Sequence, residues 1–350
     1  MSEAPVCQAL TPSLDPDPDI LGFIRESGLA SFGAAIRFTP LAGGVSSDIW
    51  KVEAHGRCFA VKRALPILRV AAQWRADPGR NRREVEYLKW LHEVEPGAGP
   101  EILAEDSARC IFAMRWFAPD AYPVWKTELL AGRIDPAFAG RVGERLARMH
   151  ARSSGDPVLA ERFGDLTDFR ALRLEAYLAA TARKHPDLAA ELARLVDSIV
   201  EHRLALVHGD VSPKNILVGA GAPVFLDAEC ATWCDPAFDL AFCLNHLALK
   251  SICYAAYAPA LVDSFELLTR HYLAGVDWEK PAQFESRTAR LLPALLLARV
   301  DGHSPVEYLD DSAKEIVRAL GRTLITHPCD RLSDFAVEVR HQAKRRHHEQ

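Results

Sequence analysis

Residues 206–241 read LVHGDVSPKNILVGAGAPVFLDAECATWCDPAFDLA. Three very short apolar runs, LALVHG from Leu204, NILVG from Asn215 and PVFLD from Pro223, are separated by polar turns. That is the pattern of small strands in a hairpin arrangement. His208, Gly209 and Asp210 follow the first run, Asn215 comes five residues after Asp210, and Asp227 ends the third run. Two strand ends joined by one hairpin can bring a carboxylate, an amide and a second carboxylate to one point. Phosphoryl transfer needs such a grouping: an aspartate beside the attacking hydroxyl, and hard oxygen ligands for Mg²⁺ that bridges the phosphates. Taken singly, HGD is an ordinary turn and Asp227 an ordinary strand end. HGDxxxxN followed twelve residues later by an apolar strand ending in Asp singles the segment out.

The end of the stretch reads as scaffold. Asp235 stands before Pro236 with the chemistry of a helix cap, and Asp239 in the first turn is placed to reach back and brace the loop at Asp210. Cys230 and Cys234 invite a metal reading, but their spacing lacks a second cysteine pair. Eight cysteines in 350 residues are too sparse for a disulfide framework and fit reduced thiols packed in a core.

Upstream, short β-type runs dominate: Ile36 to Leu41, Ile49 to Ala54, Cys58 to Ala64, Glu101 to Asp106 and Cys110 to Trp116. One helix interrupts them from about Arg80 to Glu95. The segment from Ala118 to Asp135, with Pro119 and Pro123, reads as a connector, and beyond it helical periodicity prevails. The expected organisation is an N-terminal extension and helix over 1–30, a small β-rich lobe over 31–117 and a helical lobe over 118–350, with a cleft between the lobes. Between the first two strands lie Gly43, Gly44, Ser46 and Ser47, suited to close backbone approach and hydroxyl donation to phosphate. Lys62 stands mid-strand among Phe59, Ala60 and Val61, an odd place for a lysine that does not reach into a cleft.

In these features the chain resembles the aminoglycoside phosphotransferase and choline kinase family, small-molecule kinases with a protein-kinase-like fold. The match runs in order from the glycine turn at Gly43 to Ala241. The resemblance implies an α+β, two-lobed protein-kinase-like fold with a small antiparallel-sheet N-lobe carrying one helix and a larger, mainly helical C-lobe. It implies Asp210 as the catalytic base and Asn215 and Asp227 as the Mg²⁺ ligands. Glu229 would orient metal-bound water, and His208 would hold the loop. Gly43, Gly44, Ser46, Ser47 and Lys62 would grip the phosphates of ATP, or of GTP in its place. Glu84, rather than Glu86, would pair with Lys62. Adenine would lie against the backbone around Arg115 to Phe117, near Met114 and Trp116. No GxxxxGK[ST] or GxGxxG occurs, and HGD in place of HRD, without DFG or APE, argues against a protein kinase. A nucleotide-binding pseudokinase is the competing class, disfavoured by the complete residue set.

The acceptor is expected to be a small molecule. Arg299, Asp301, His303 and Glu307 cluster after an apolar helix and are acceptor-site candidates, as is Lys214, a cation just before Asn215. From Asn245 onward 14 acidic and 14 basic residues balance, which argues against a polycationic acceptor held by bulk charge. The net charge of −5 gives no attraction to nucleic acid or an anionic membrane. Met1 to Pro18 lacks a signal-like apolar run, and the strongest apolar cluster, Leu291 to Val300, contains Pro293 and is bracketed by Arg290 and Arg299. A cytoplasmic protein with no membrane span is expected.

Overall fold

The structure is a computed structural model that describes residues 16–41, 47–65, 77 and 79–349. The chain forms two compact units, one within Met1–Asn81 and Ile102–Trp116, the other within Arg82–Glu101 and Phe117–Gln350.

The first unit contains helix α1 (Pro18–Glu26) and strands β1 (Ile36–Pro40), β2 (Ser47–Ala54) and β3 (Arg57–Ala64). After helix α2 (Arg80–Val94) come β4 (Ile102–Asp106) and β5 (Ile111–Arg115). The five strands form one antiparallel sheet in the order β1-β2-β3-β5-β4. Its tightest corner is His55–Gly56, where both residues have positive φ (52° and 71°). That matches the twist of a two-residue hairpin turn. Asp17 starts α1 by accepting the Asp19 N–H at 2.9 Å. Ile20, Phe23 and Ile24 of α1 then pack on Trp50, Val52, Phe59, Val61, Ile111 and Ala113 as one apolar cluster. Each such side chain gains roughly 1.5–3 kcal/mol from burial.

Strand alternation sends the intervening residues to the opposite face. Lys62 pairs in register with Ile49 and Phe112, Ala60 with Lys51 and Met114, and Ser47 with Ala64. Ser47, Lys62 and Met114 therefore share the face that α1 does not cover. Lys62 is buried there.

Helix α2 starts at the edge of the first unit, but from Arg82 onward it packs with the second. Glu95 beyond its end receives Arg145 at 3.1 Å and Arg148 at 2.9 Å, and Ala98 O accepts the Phe225 N–H at 2.7 Å. The second unit continues with α3 (Trp125–Leu130), α4 (Pro136–Ser153), α5 (Pro157–Arg162) and α6 (Thr167–Phe169). A π-helical stretch (Arg170–Ala179) then leads into α7 (Ala180–Lys184) and α8 (Ala189–Glu201). Four short strands follow: β6 (Ala205–Val207), β7 (Ile216–Val218), β8 (Pro223–Phe225) and β9 (Thr232–Cys234). The chain closes with α9 (Ala237–Cys253), α10 (Ala258–Ala274), α11 (Pro281–Asp301), α12 (Asp311–Thr326) and α13 (Leu332–Glu349).

The expected hairpin is β7–β8, whereas β6 pairs antiparallel with β9, a strand beyond Asp227. The fold is thus an antiparallel five-stranded sheet followed by a mainly helical part, as the sequence predicts. At the centre of the second unit lies α9, whose residues Ala237 to Ile252 are all buried. Helices α10, α11, α12 and α13 surround it. Its polar residues Asp239, His246 and Lys250 stand at i, i+7 and i+11, which places them on one stripe of the helix. Among the described residues no helix is long and apolar enough to cross a membrane.

Candidate active site

The loop after β6 is set by two backbone conditions. Gly209 has φ +77°, and a Cβ there would come within 2.6 Å of Cys230 O, so only glycine fits. Asp239 of α9 accepts the N–H of His208 through Oδ2 at 2.6 Å and that of Gly209 through Oδ1 at 2.8 Å. The same carboxylate contacts His150 Nε2 at 3.2 Å, and His150 Nδ1 lies 2.6 Å from the Tyr272 hydroxyl. His208, Asp239, His150 and Tyr272 are all buried. Asp235 accepts the Ala237 N–H at 3.0 Å at the start of α9. Burial raises its pKa, against the opposing pull of Arg287 at 2.9 Å.

Asp210 is nearly inaccessible, at 4% exposure. Its Oδ2 receives Asn215 Nδ2 at 2.9 Å, Arg173 Nη2 at 3.0 Å and Lys214 Nζ at 3.1 Å. No described donor bonds its Oδ1. Its N–H donates to His208 Nδ1 at 3.2 Å, so that ring carries its proton on Nε2. Burial pushes the His208 pKa down and keeps the ring neutral, packed between Tyr87 and Phe225.

Arg173 was not singled out in the sequence. It lies in the π-helical stretch, donates from Nε to Gly209 O at 2.5 Å and stacks 5.8 Å over Phe242. Burial works against its charge, but Asp210 and then Cys230, Tyr177 and Glu229 together outweigh it and raise its pKa. One arginine of the two in RALRLEAYLA carries no spacing signal, and the one-residue widening of a π-helix is not readable from periodicity.

The donor set suits a hard cation. Asn215 spends its amide N–H groups on Asp210 Oδ2 and on Asp210 O at 3.1 Å, which leaves its carbonyl oxygen as an acceptor. Its backbone O receives the Leu226 N–H at 2.8 Å, fixing the chain just before Asp227. Asp227 is half-buried with φ +67°, a left-handed conformation unusual outside glycine and of the kind concentrated at functional sites. Its charge acts on both His208 and Lys214. An amide oxygen and a carboxylate are ligands Mg²⁺ accepts alongside phosphate oxygens. Glu229, two residues on, is buried.

The nucleotide candidates divide between the units. Ser47 is buried at the start of β2, and its hydroxyl has no partner among the described residues. Trp116 follows β5 with Lys51 Nζ 5.9 Å over its ring. Glu84 of α2 is buried, whereas Glu86 pairs with exposed Arg82 at 2.9 Å. Gly43, Gly44 and Ser46 lie outside the described residues.

Beside Asp210, Lys214 forms part of a small recess that also gathers Lys126, Lys250, Arg299 and Glu307. Two of these, Lys126 and Lys250, were not picked out in the sequence. Glu307 is paired with Lys126. Lys250 is buried, with Nζ 3.4 Å from the Tyr308 hydroxyl and 4.6 Å above its ring. Burial, then Lys126 and Arg299, lower its pKa to about 7. Arg299 donates to the hydroxyls of Tyr177 at 2.9 Å and Ser304 at 3.0 Å. His246 also borders the recess, its pKa pushed well down by burial and by the surrounding cations. Asp301 is elsewhere, clamped by His185 and Arg318 at 2.9 Å each. His303 is exposed, 3.2 Å from Arg183. Cys230 and Cys234 are buried thiols whose pKa values burial raises, and no cluster of three metal-binding side chains occurs among the described residues.

A family model described as APH, phosphotransferase enzyme family, matches residues 37–265, and the chain belongs to that family. It is 27% identical over 232 residues to a methylthioribose kinase of Erwinia tasmaniensis, covering 59% of this chain and 57% of the relative. It is 25% identical over 263 residues to a methylthioribose kinase of Yersinia enterocolitica, covering 66% and 65%. The chain thus spans between about half and two thirds of the length of the curated relatives it matches. Among solved structures, a choline/ethanolamine kinase family protein from Mesorhizobium loti has the same fold, with a TM-score of 0.51 at 15% identity over 92% of this chain and 98% of that one.

Removing the brace under the loop strands two buried N–H groups. Asp239→Ala is expected to cost about 2–5 kcal/mol in urea unfolding, with a smaller loss for Asp239→Asn, which keeps one acceptor oxygen. A loss within about 0.5 kcal/mol, the size of a neutral surface change, contradicts the brace. Lys250 gives a pH signature. Below pH 7 it is protonated in both states; above about 7 the folded state releases the proton while the unfolded state keeps it. Stability relative to Lys250→Met should therefore be flat below pH 7 and rise toward pH 9 by up to about 1.4 kcal/mol per pH unit. A pH-independent difference contradicts the buried, depressed lysine.

Proposed function

We propose that the chain is a Mg²⁺-dependent phosphotransferase that moves the γ-phosphoryl of ATP, or of GTP in its place, to a hydroxyl of a small-molecule acceptor. The observation that carries this reading is Asp210: buried, fixed through Oδ2 by Arg173, Lys214 and Asn215, and open at Oδ1. Oδ1 orients the acceptor hydroxyl and takes its proton. The acceptor oxygen forms the new bond to phosphorus, the bond to the β-phosphate oxygen breaks, and ADP leaves with that electron pair. Asn215 and Asp227 would hold Mg²⁺, with Glu229 orienting its water. When bound, the ion neutralises charge on the β- and γ-phosphate oxygens.

Lys62 would contact the α- and β-phosphates, with Gly43, Gly44, Ser46 and Ser47 as backbone and hydroxyl donors. Met114 and Trp116 border adenine. Glu84, on α2, orients Lys62. The unpartnered buried hydroxyl of Ser47, on the same sheet face as Lys62, supports this grip. His208 acts through position: it is neutral and accepts the Asp210 N–H. Catalysis of this kind rests on placement and electrostatics rather than on covalent participation by the protein. Relatives named methylthioribose kinases support a small-molecule acceptor.

The test is turnover of Asp210→Asn, read as ADP release over a panel of amino alcohols, amino sugars, methylthioribose and hydroxy acids. The expected result is a loss of about 10²- to 10⁴-fold in kcat, the range of a lost general base, with the KM for ATP nearly unchanged. Turnover equal to that of the wild type overturns the assignment.

A further inference from the structure

The recess beside Asp210 carries a charge pattern unlike that of a site for a cation. Lys126, Lys214, Lys250 and Arg299 line it, with Glu307 as the one carboxylate among its lining residues. Glu307 is committed to Lys126, and Lys214 to Asp210. That leaves Lys250 and Arg299. Neither has a carboxylate within ion-pair distance among the described residues. Among the described residues, the side-chain nitrogen of Lys250, a residue only 1% exposed, meets only the Tyr308 hydroxyl and ring face. Arg299 gives Nη1 to two neutral hydroxyls, and its buried Nε has no partner.

Burying a cation without an anion is costly, and a cation–π contact recovers only part of that cost. Buried donors left unpaired ordinarily find a partner in a ligand or ordered water. Here two cations with unused donors line one recess, and Lys214, which also lines it, bonds the carboxylate proposed to receive the acceptor's proton. A quaternary ammonium or polyamine entering it would meet like charges, whereas an anion would meet paired-off neighbours and open donors.

We infer that the acceptor is a small hydroxyl compound carrying an anionic group, a carboxylate or a phosphate monoester, seated against Lys250 and Arg299. This rests on the phosphotransferase reading and specifies its acceptor. The anionic group anchors in the recess while the hydroxyl lies toward Asp210. Guanidinium and ammonium together suit an oxyanion, the guanidinium through directed donors and the ammonium as a compact charge.

Four probes of similar size separate the alternatives: glycerate, glycerol 3-phosphate, glycerol and choline, each titrated calorimetrically into the full chain, with Mg·ATP titrated separately. At least one anion should bind about tenfold or more tighter than glycerol and choline. The stronger of the two anions identifies carboxylate or phosphate as the group held. Lys250→Met and Arg299→Gln should each weaken that anion about 10- to 100-fold, the loss of one charge-assisted hydrogen bond, with Mg·ATP affinity nearly unchanged. Arg299→Lys, which keeps the charge, should recover part of the loss, separating a binding role from a folding defect. If choline or glycerol binds as well as the anions, if no anion binds while Mg·ATP does, or if the variants bind the anion like the wild type, the inference is overturned and the phosphotransferase reading stands. If the wild type does not bind Mg·ATP, both fall.

Discussion

Two hydrogen bonds from the loop backbone to one buried carboxylate organise this site. Asp239 takes the N–H groups of His208 and Gly209 and is itself seated against His150 and Tyr272. The loop therefore rests on three helices, α9, α4 and α10, as well as on the positive φ at Gly209. Charge-assisted bonds to buried backbone groups are among the stronger polar interactions a fold can make, and leaving such groups unpaired is heavily penalised. With the backbone at residues 208 and 209 fixed, Asp210 has little freedom, and Arg173 removes most of what remains by bonding both Gly209 O and the Asp210 carboxylate.

The same helix that braces the loop also supplies the recess. Asp239, His246 and Lys250 lie along one stripe of α9, buried from end to end. Polar residues on the stripe of a wholly buried helix have no solvent to satisfy them, so each requires a local reason to be there. For Asp239 the reason is the loop; for Lys250 it is the proposed anionic group of the acceptor. In the proposed reading, one rigid element sets both the position of the carboxylate beside the acceptor hydroxyl and the charge that selects the acceptor. Sites built on helices rather than on loops hold such geometry well.

Much of this was legible in the sequence because it is local. HGDxxxxN, the short strand just before Asp227 and the DPxxD segment carry their meaning in spacing, and the cap at Asp235 and the reach of Asp239 follow from their places just before and within the first turn of α9. The longer helices were readable from apolar periodicity, and Lys62 from its improbable place in a strand, whereas the short helices α3, inside the segment read as a connector, and α5 were not. What escaped depends on tertiary placement. Strand β9 lies outside the three apolar runs that mark β6, β7 and β8, and its pairing with β6 is a long-range contact that spacing does not show. Arg173 sits where a π-helical stretch shifts the face it presents. Lys126 and Lys250, 124 positions apart, border one recess because α3 and α9 bring them there. Asp301 and Arg299, two residues apart on α11, go to different surroundings, one into a clamp of His185 and Arg318 and the other into the recess.

The central claim is that an acceptor hydroxyl, and not water, receives the phosphoryl group under the direction of Asp210. Phosphorus NMR of the full chain with Mg·ATP and the hydroxyl panel tests it most directly. The account predicts that the γ-phosphoryl signal declines with matching growth of ADP and of a phosphate monoester, only when an acceptor is present. Persistence of ATP with every acceptor, or conversion to inorganic phosphate alone, would contradict it.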